Sequence, residues 1–178
     1  MRKLTYDEIA CKRFTLKQLQ QEKRFPIYVL LDNIRSLYNV GSIFRTSDGA
    51  RIAKLILCGY TPHPPRKEIE KTALGSTASV QWEYIKDPLL AIRNLKSQGV
   101  RICILEHTDQ SIPYHSVKKD DFPLCLVVGN EIVGASKEII AEADLAIESP
   151  MFGMKQSLNV AVAYGIAVFE FVRRVEES

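Results

Sequence analysis

Three short stretches of the chain carry side chains suited to holding a ligand and acting on it. Asn39 and Arg45 flank Gly41, Glu131 follows Gly129 by two positions, and Ser157 and Asn159 stand beyond Pro150 and Gly153. Pro150 lacks an amide proton and Gly153 tolerates positive φ, so residues 149–156 read as a loop. Ser157 is the expected N-cap of the helix that follows, its hydroxyl accepting from a first-turn amide. Two small polar side chains then stand beside free backbone donors where a tight loop enters a helix, an arrangement that suits a binding site. An ordinary capped helix is the other reading. Taken singly, Arg45 is a surface arginine, Glu131 a helix-start carboxylate favoured by the dipole, and Asn159 a turn cap. Taken together, on three loops expected at one edge of a sheet, they read as one polar site.

Other chemistries lack their residues. None of the nine glycines forms a G-x-G pair, so the dinucleotide fingerprint is missing. Gly129 and Gly134 have P-loop spacing, but Ala135-Ser136 stands where Lys-Ser/Thr is needed, which argues against phosphoryl transfer. No G-x-S-x-G nucleophile elbow occurs. His63, His107 and His115 are scattered without ligand spacing, so no metal is expected. Cys11, Cys58, Cys103 and Cys125 form no C-x-x-C pair, and three of them lie in apolar runs, as structural thiols do. The net charge of +3 permits an anionic partner without demanding one.

The elements that must position the polar residues follow from hydrophobic patterning. Ile27–Leu31, Lys54–Cys58, Arg101–Leu105, Pro123–Gly129 and Leu145–Glu148 are strand-length apolar runs, with a shorter strand at Val80–Tyr84 around Trp82. Runs of this kind belong to strands covered on both faces. Asn39-Val40-Gly41 leads into a helix over SIFRTSDGA that ends near Gly49. A Pro-rich loop, Gly59–Arg66, runs into a short charged helix, and further helices cover Pro88–Ser97, Ser136–Ala143 and the segment from Leu158 onward. The alternation predicts an α/β fold, a mostly parallel sheet with helices on both faces. Functional residues of such sheets collect at the carboxyl ends of the strands. Those ends are Asn33–Arg45, Gly59–Arg66, Glu106-His107, Gly129–Ser136 and Ser149–Asn159.

From Leu158 to Val172 only Asn159, Tyr164, Gly165 and Glu170 interrupt aliphatic residues and Phe, so the last helix should be covered on more than one side. Its charge-free run, Val160–Phe169, is half of the ~20 residues a membrane span needs, so a core plus a second subunit is expected and no membrane. A chain of 178 residues, 46% hydrophobic and 25% charged, is expected to be a single folded domain spanning 1–178. Residues 1–25 form an N-terminal helical arm rich in Lys and Arg, read as a solvated face with an RNA-contacting role as the second reading. MRKLTYDEIACKRF holds no apolar run of signal-peptide length, so the cytoplasm is the expected compartment.

At these residues the chain resembles the SpoU (TrmH-type) branch of the SPOUT superfamily, RNA ribose 2′-O-methyltransferases that use S-adenosylmethionine. Asn39-Val40-Gly41-Ser42-Ile43-Phe44-Arg45-Thr46 matches the N-x-G-x-x-x-R-T motif, and Gly129-Asn130-Glu131 with Gly134 and Ser136 matches G-x-E-x-x-G-x-S. Pro150-Met151, Gly153 and Ser157-Leu158-Asn159-Val160 match the third motif, and Lys71-Thr72-Ala73-Leu74-Gly75 with Trp82 is similar to a segment of tRNA-type members. The resemblance covers roughly Ile27 to Arg173. It implies a trefoil knot at the carboxyl end, one of the rare exceptions to unknotted topology, and a homodimer. It implies a bent cofactor held near Leu105, Glu106, Val128, Gly129, Asn130, Ile147, Met151, Ser157 and Leu158. It implies catalytic roles for Asn39, Arg45, Glu131, Ser157 and Asn159, with RNA held by Arg45, Arg66 and Lys71. A guanidinium stays protonated, so Arg45 is expected to bind phosphate and stabilise a forming alkoxide rather than act as the base. Ser149 and Ala135 depart from the pattern, in place of an aliphatic and a larger residue. With no sizeable RNA-binding domain before or after, the catalytic domain is expected to read its RNA almost alone, tRNA before rRNA. A catalytically inactive RNA-binding protein of the same fold is the alternative.

Overall fold

The computed structural model describes residues 1–177; Ser178, the last residue of the expected domain, lies outside them. Two short helices, α1 (Tyr6–Ala10) and α2 (Leu16–Gln21), lead the chain, each opened by a capping box: Thr5 with Glu8, Thr15 with Gln18. The sheet follows as β1 (Phe25–Asp32), β2 (Ile52–Cys58), β3 (Trp82–Ile85), β4 (Arg101–Leu105), β5 (Ile112–Pro113), β6 (Leu124–Val128) and β7 (Leu145–Glu148). Its order is β3-β2-β1-β6-β4-β7-β5, and every pairing is parallel. The helices are α3 (Leu37–Gly49), α4 (Lys67–Ala73), α5 (Pro88–Ser97), α6 (Lys137–Ala141) and α7 (Val160–Glu176).

Alternate residues of each strand enter opposite cores. Leu31, Leu57 and Leu126 join Phe44 of α3 and Val168 and Phe171 of α7 on one face. Leu30, Ile56 and Val127 join Ile92 of α5 and Ile139 of α6 on the other. Both faces are therefore covered, which is why the strands read as unbroken apolar runs. Strands β2 and β3 extend the sheet from one side of β1, and β6, β4, β7 and β5 extend it from the other. The carboxyl ends of β1 and β6 thus border the point where the strand order reverses, the place where such sheets leave a crevice.

The structure corrects the sequence reading at two helix starts and in two strands, one of them expected at Val80–Tyr84 and found at Trp82–Ile85. The first long helix begins at Leu37, capped by the Ser36 hydroxyl on the Asn39 amide at 3.2 Å, so Asn39, Val40 and Gly41 lie inside it. Gly41 is there for packing: a Cβ would collide with Thr72 and the Ile69 carbonyl of α4. The last helix is capped by Asn159, whose Oδ1 accepts from the Ala161 amide at 2.9 Å, and not by Ser157. The two-residue strand β5, ending in a proline, had no run long enough to mark it.

Helix α7 returns from the far side of the sheet to pack on α3 and β1. Its Tyr164 is fully buried and its hydroxyl lies 2.7 Å from Ser47 Oγ of α3, also buried. Tyr164→Phe would leave the Ser47 hydroxyl buried and unpaired, an expected loss of about 1–3 kcal/mol. A thermal melt should show the drop, and an unchanged midpoint would mean the pair contributes nothing. The opposite face of α7 is open, with Val162 52% and Phe169 51% exposed, so the all-round covering expected of this helix does not come from its own chain. Among the described residues no helix is long and apolar enough to cross a membrane.

Candidate active site

A cleft of about 730 Å³ opens at the carboxyl edge of β1, β6, β4 and β7. Four connections wall it: the start of α3, the exit of β4, the loop after β6, and the segment joining β7 to α7.

Glu131 ties the first wall to the third. Its carboxylate accepts from the amides of Arg35 and Ser36, at 2.8 and 3.1 Å, and from the Asn39 side-chain amide at 3.1 Å. The Ser36 amide, at the N-cap, is one of the donors that a helix N-terminus leaves without partners. Burial alone would push the Glu131 carboxyl up, but the amides of Arg35, Asn39 and Ser36 outweigh it and hold it below the ordinary carboxylate value. A carboxylate so engaged is a poor proton acceptor and a good brace. Asn39 passes the connection on, its Oδ1 accepting from Asn159 Nδ2 at 3.2 Å. Glu131, Asn39 and Asn159, far apart along the chain, thus form one hydrogen-bonded file. Ser157 lines the same wall and its hydroxyl makes no hydrogen bond among the described residues.

Of the expected cofactor residues, Leu105, Glu106, Val128, Gly129, Asn130, Met151, Ser157 and Leu158 line the cleft. Ile147 does not. It is fully buried in the core beneath, and its carbonyl accepts from the Glu106 amide at 3.0 Å, continuing the β4–β7 ladder. Glu106 and Asn130 line the cleft with their polar atoms already committed. The Glu106 carboxylate accepts from the amides of Ala135 and His107, at 3.1 and 2.9 Å. Asn130 donates to the Asn33 carbonyl and the Tyr60 hydroxyl while accepting from the amides of Ile132 and Val133. Both shape the loop after β6.

Arg45 is not in the cleft wall. It lies on the exposed side of α3, beyond Asn39, with no carboxylate within ion-pairing distance among the described residues. A Cβ added to Gly165 of α7 would meet Thr46, the neighbour of Arg45, at 3.8 Å, and one added to Gly49 would meet Phe169 at 3.5 Å, so Arg45 flanks the open face of α7. Arg66 and Lys71 line a separate hollow of about 580 Å³ beside α4 and share no wall with the cleft. Arg35, Ser36, His107 and Gln156 lie in strand-end segments the sequence pointed to but were not singled out as site residues, nor was Glu148; all five are in the wall. His107 had one available signal, its place just after a strand, but a lone histidine offered no partner at a recognisable spacing. Among the described residues no three His, Cys, Asp or Glu side chains group to hold a metal ion.

The model of the SpoU rRNA Methylase family matches residues 26–169. The chain belongs to the SpoU methylase family. It is 32% identical over 165 residues to a tRNA (guanosine(18)-2′-O)-methyltransferase of Aquifex aeolicus, covering 91% of this chain and 76% of that protein. The solved structure of the A. aeolicus TrmH/SpoU tRNA modifying enzyme aligns with a TM-score of 0.81 at 35% identity, over 91% of this chain and 83% of that one. An AdoMet-bound rRNA methyltransferase from Sinorhizobium meliloti aligns with a TM-score of 0.79 at 31% identity, over 90% and 61% respectively. Each SpoU motif of this chain supplies a wall of the cleft: the first through Asn39, the second through Gly129–Gly134, the third through Met151 and Ser157–Val160. The arginine of the first motif stands apart from that wall.

Proposed function

We propose that this SpoU chain transfers the methyl group of S-adenosylmethionine to a ribose 2′-hydroxyl of RNA, tRNA before rRNA, as a cytoplasmic homodimer. The observation that carries the reading is the single cleft walled by all three motifs, of a size that takes one small-molecule ligand. Its residues fit the cofactor. A Cβ on Gly129 would collide with the backbone of residues 134 and 135, and one on Gly134 with the Glu106 carboxylate, so the two glycines let the loop after β6 close tightly into a wall of the cleft. Leu105, Val128, Met151 and Leu158 add apolar surface for a base, and the buried Ser149 hydroxyl in the same wall has no partner among the described residues. When bound, the cofactor supplies a methyl group activated by its sulfonium.

The chain's own residues do the rest by position. Leu105, Val128, Gly129, Met151 and Leu158 hold the adenine, and Ile147 supports that floor from below. Asn39, fixed between Glu131 and Asn159, orients the ribose. Ser157 offers its unengaged hydroxyl to the substrate or the methionine tail. Arg45 binds the adjacent phosphate and stabilises the developing alkoxide, while Arg66 and Lys71 hold the RNA backbone.

The homodimer is supported by the apolar face of α7, where Val162, Ile166 and Phe169 stay exposed on a helix otherwise packed in the core. A second copy there would border Arg45, so the reading places Arg45 where RNA crosses between protomers. The trefoil knot is supported by two opposed crossings. The loop after β6 leads to α6 on one face of the sheet, while the β7–α7 segment passes the same cleft to reach the other. A single domain, with residues 1–25 as its arm, completes the reading.

Transfer of labelled methyl from S-adenosylmethionine to tRNA tests it. Mass spectrometry of the nuclease digest should find the label on a 2′-O-methylnucleoside. Label on a base would overturn the acceptor, and RNA binding without label would leave the inactive RNA-binding alternative.

A further inference from the structure

One side chain outside the three motifs holds the segment that joins β7 to α7. The His107 ring has Nδ1 3.1 Å from Glu148 Oε2 and Nε2 3.1 Å from the carbonyl oxygen of Gln156. Both neighbours only accept: one is a carboxylate and the other a backbone carbonyl. A neutral imidazole carries a single N–H and can satisfy one of them; the imidazolium donates to both. Ser111 Oγ lies 2.8 Å from the same Glu148 oxygen and 2.9 Å from the Thr108 carbonyl, its one proton shared between these acceptors. Glu106 brings the second negative charge near the ring, and from the β7–α7 segment the Gln156 carbonyl is the hydrogen-bond partner of the ring among the described residues.

Gln156 immediately precedes Ser157-Leu158-Asn159, so the bond to its carbonyl fixes the third motif's approach to the cleft. We propose that His107, as an imidazolium, is a positioning residue that clasps the β7–α7 segment against the end of β7 and thereby makes cofactor affinity fall as pH rises. The inference rests on the reading of the cleft as an S-adenosylmethionine site. The hydrogen bond to Glu148 moves the His107 pKa above its ordinary value; burial opposes it, and the Gln156 carbonyl and the charges of Glu148 and Glu106 add to it. The sign follows. The clasp is complete below the folded-state pKa and is lost as pH rises through it, because the neutral ring must release one acceptor.

Calorimetric titration of the full chain with S-adenosylhomocysteine, whose thioether carries no charge, tests the clasp over about pH 5.5 to 8.5. NMR of the imidazole locates the His107 midpoint in parallel. The affinity of the unaltered protein should fall about tenfold across that midpoint, the worth of one charge-assisted hydrogen bond. His107→Gln should flatten the profile. Glu148→Gln, which keeps the ring but removes its carboxylate, should move the NMR midpoint and the affinity profile down together. An affinity that stays flat across the observed midpoint overturns the clasp, as does a His107→Gln profile like that of the parent. If His107→Gln does not fold, the parent and Glu148→Gln still decide. Binding with no pH slope removes the clasp alone, whereas no binding at any pH removes the cofactor reading with it.

Discussion

Arg45→Ala is expected to lower methyl transfer to RNA by about a hundredfold to a thousandfold, the cost of deleting one preorganised donor to a developing oxyanion. Folding should hardly change. The side chain is exposed and pairs with no carboxylate among the described residues, and such surface substitutions stay within about 0.5 kcal/mol. Cofactor affinity should also be unchanged, because Arg45 lies outside the cleft wall. Calorimetry with S-adenosylhomocysteine beside single-turnover transfer to tRNA separates the two effects. Arg45→Lys should recover little of the rate, since a single ammonium cannot reproduce a two-pronged grip on phosphate. Full transfer by the alanine variant would remove Arg45 from the chemistry. A loss confined to cofactor affinity would place its role in the wrong half of the site.

The same residue marks how far the sequence could be read. The strands were legible because burial on both faces leaves an unbroken apolar record: Arg101–Leu105 and Leu145–Glu148 end where they were expected, and so does the helix Pro88–Ser97. The helix starts flanking the cleft were less legible, because the same small polar residues serve as caps and as site groups. Ser157 looks like a cap and is free, while Asn159 looks like a ligand group and caps α7 through Oδ1. Its Nδ2 is left for Asn39, so one side chain does both. Gly41 reads as lying ahead of its helix because the sequence, which does show the short charged helix α4, does not show that α4 packs there and forbids a side chain. Asn39, Glu131 and Asn159 were expected together from their place on loops at one sheet edge, and hydrogen bonds join the three. Arg45 fell outside the cleft because it follows Asn39 by a turn and two-thirds, which points it away from its motif partner. Spacing alone could not have shown what covers that side of α3.

Gly129→Ala should weaken cofactor binding by about a hundredfold or more, with little dependence on RNA, because the damage is to the cleft itself. The backbone at 129 is not left-handed, so a residue with a Cβ is conformationally allowed and the effect is purely steric. An added Cβ would lie 2.5 Å from the Ala135 nitrogen and 2.6 Å from the Gly134 carbonyl carbon. These are backbone atoms and cannot swing aside. The Asn130–Gly134 bridge would have to open and Ala135 would pull away from Glu106, displacing the loop that also carries Glu131. A destabilisation of about 1–3 kcal/mol should accompany it, as for other overpacked sites. Gly153→Ala is the matched control: nothing lies within 4 Å of a Cβ there, although the residue belongs to the third motif. Its cofactor affinity should match that of the parent. If Gly129→Ala bound S-adenosylhomocysteine as well as Gly153→Ala does, the loop after β6 would not be the cofactor's wall, and the site would have to lie elsewhere along the sheet edge.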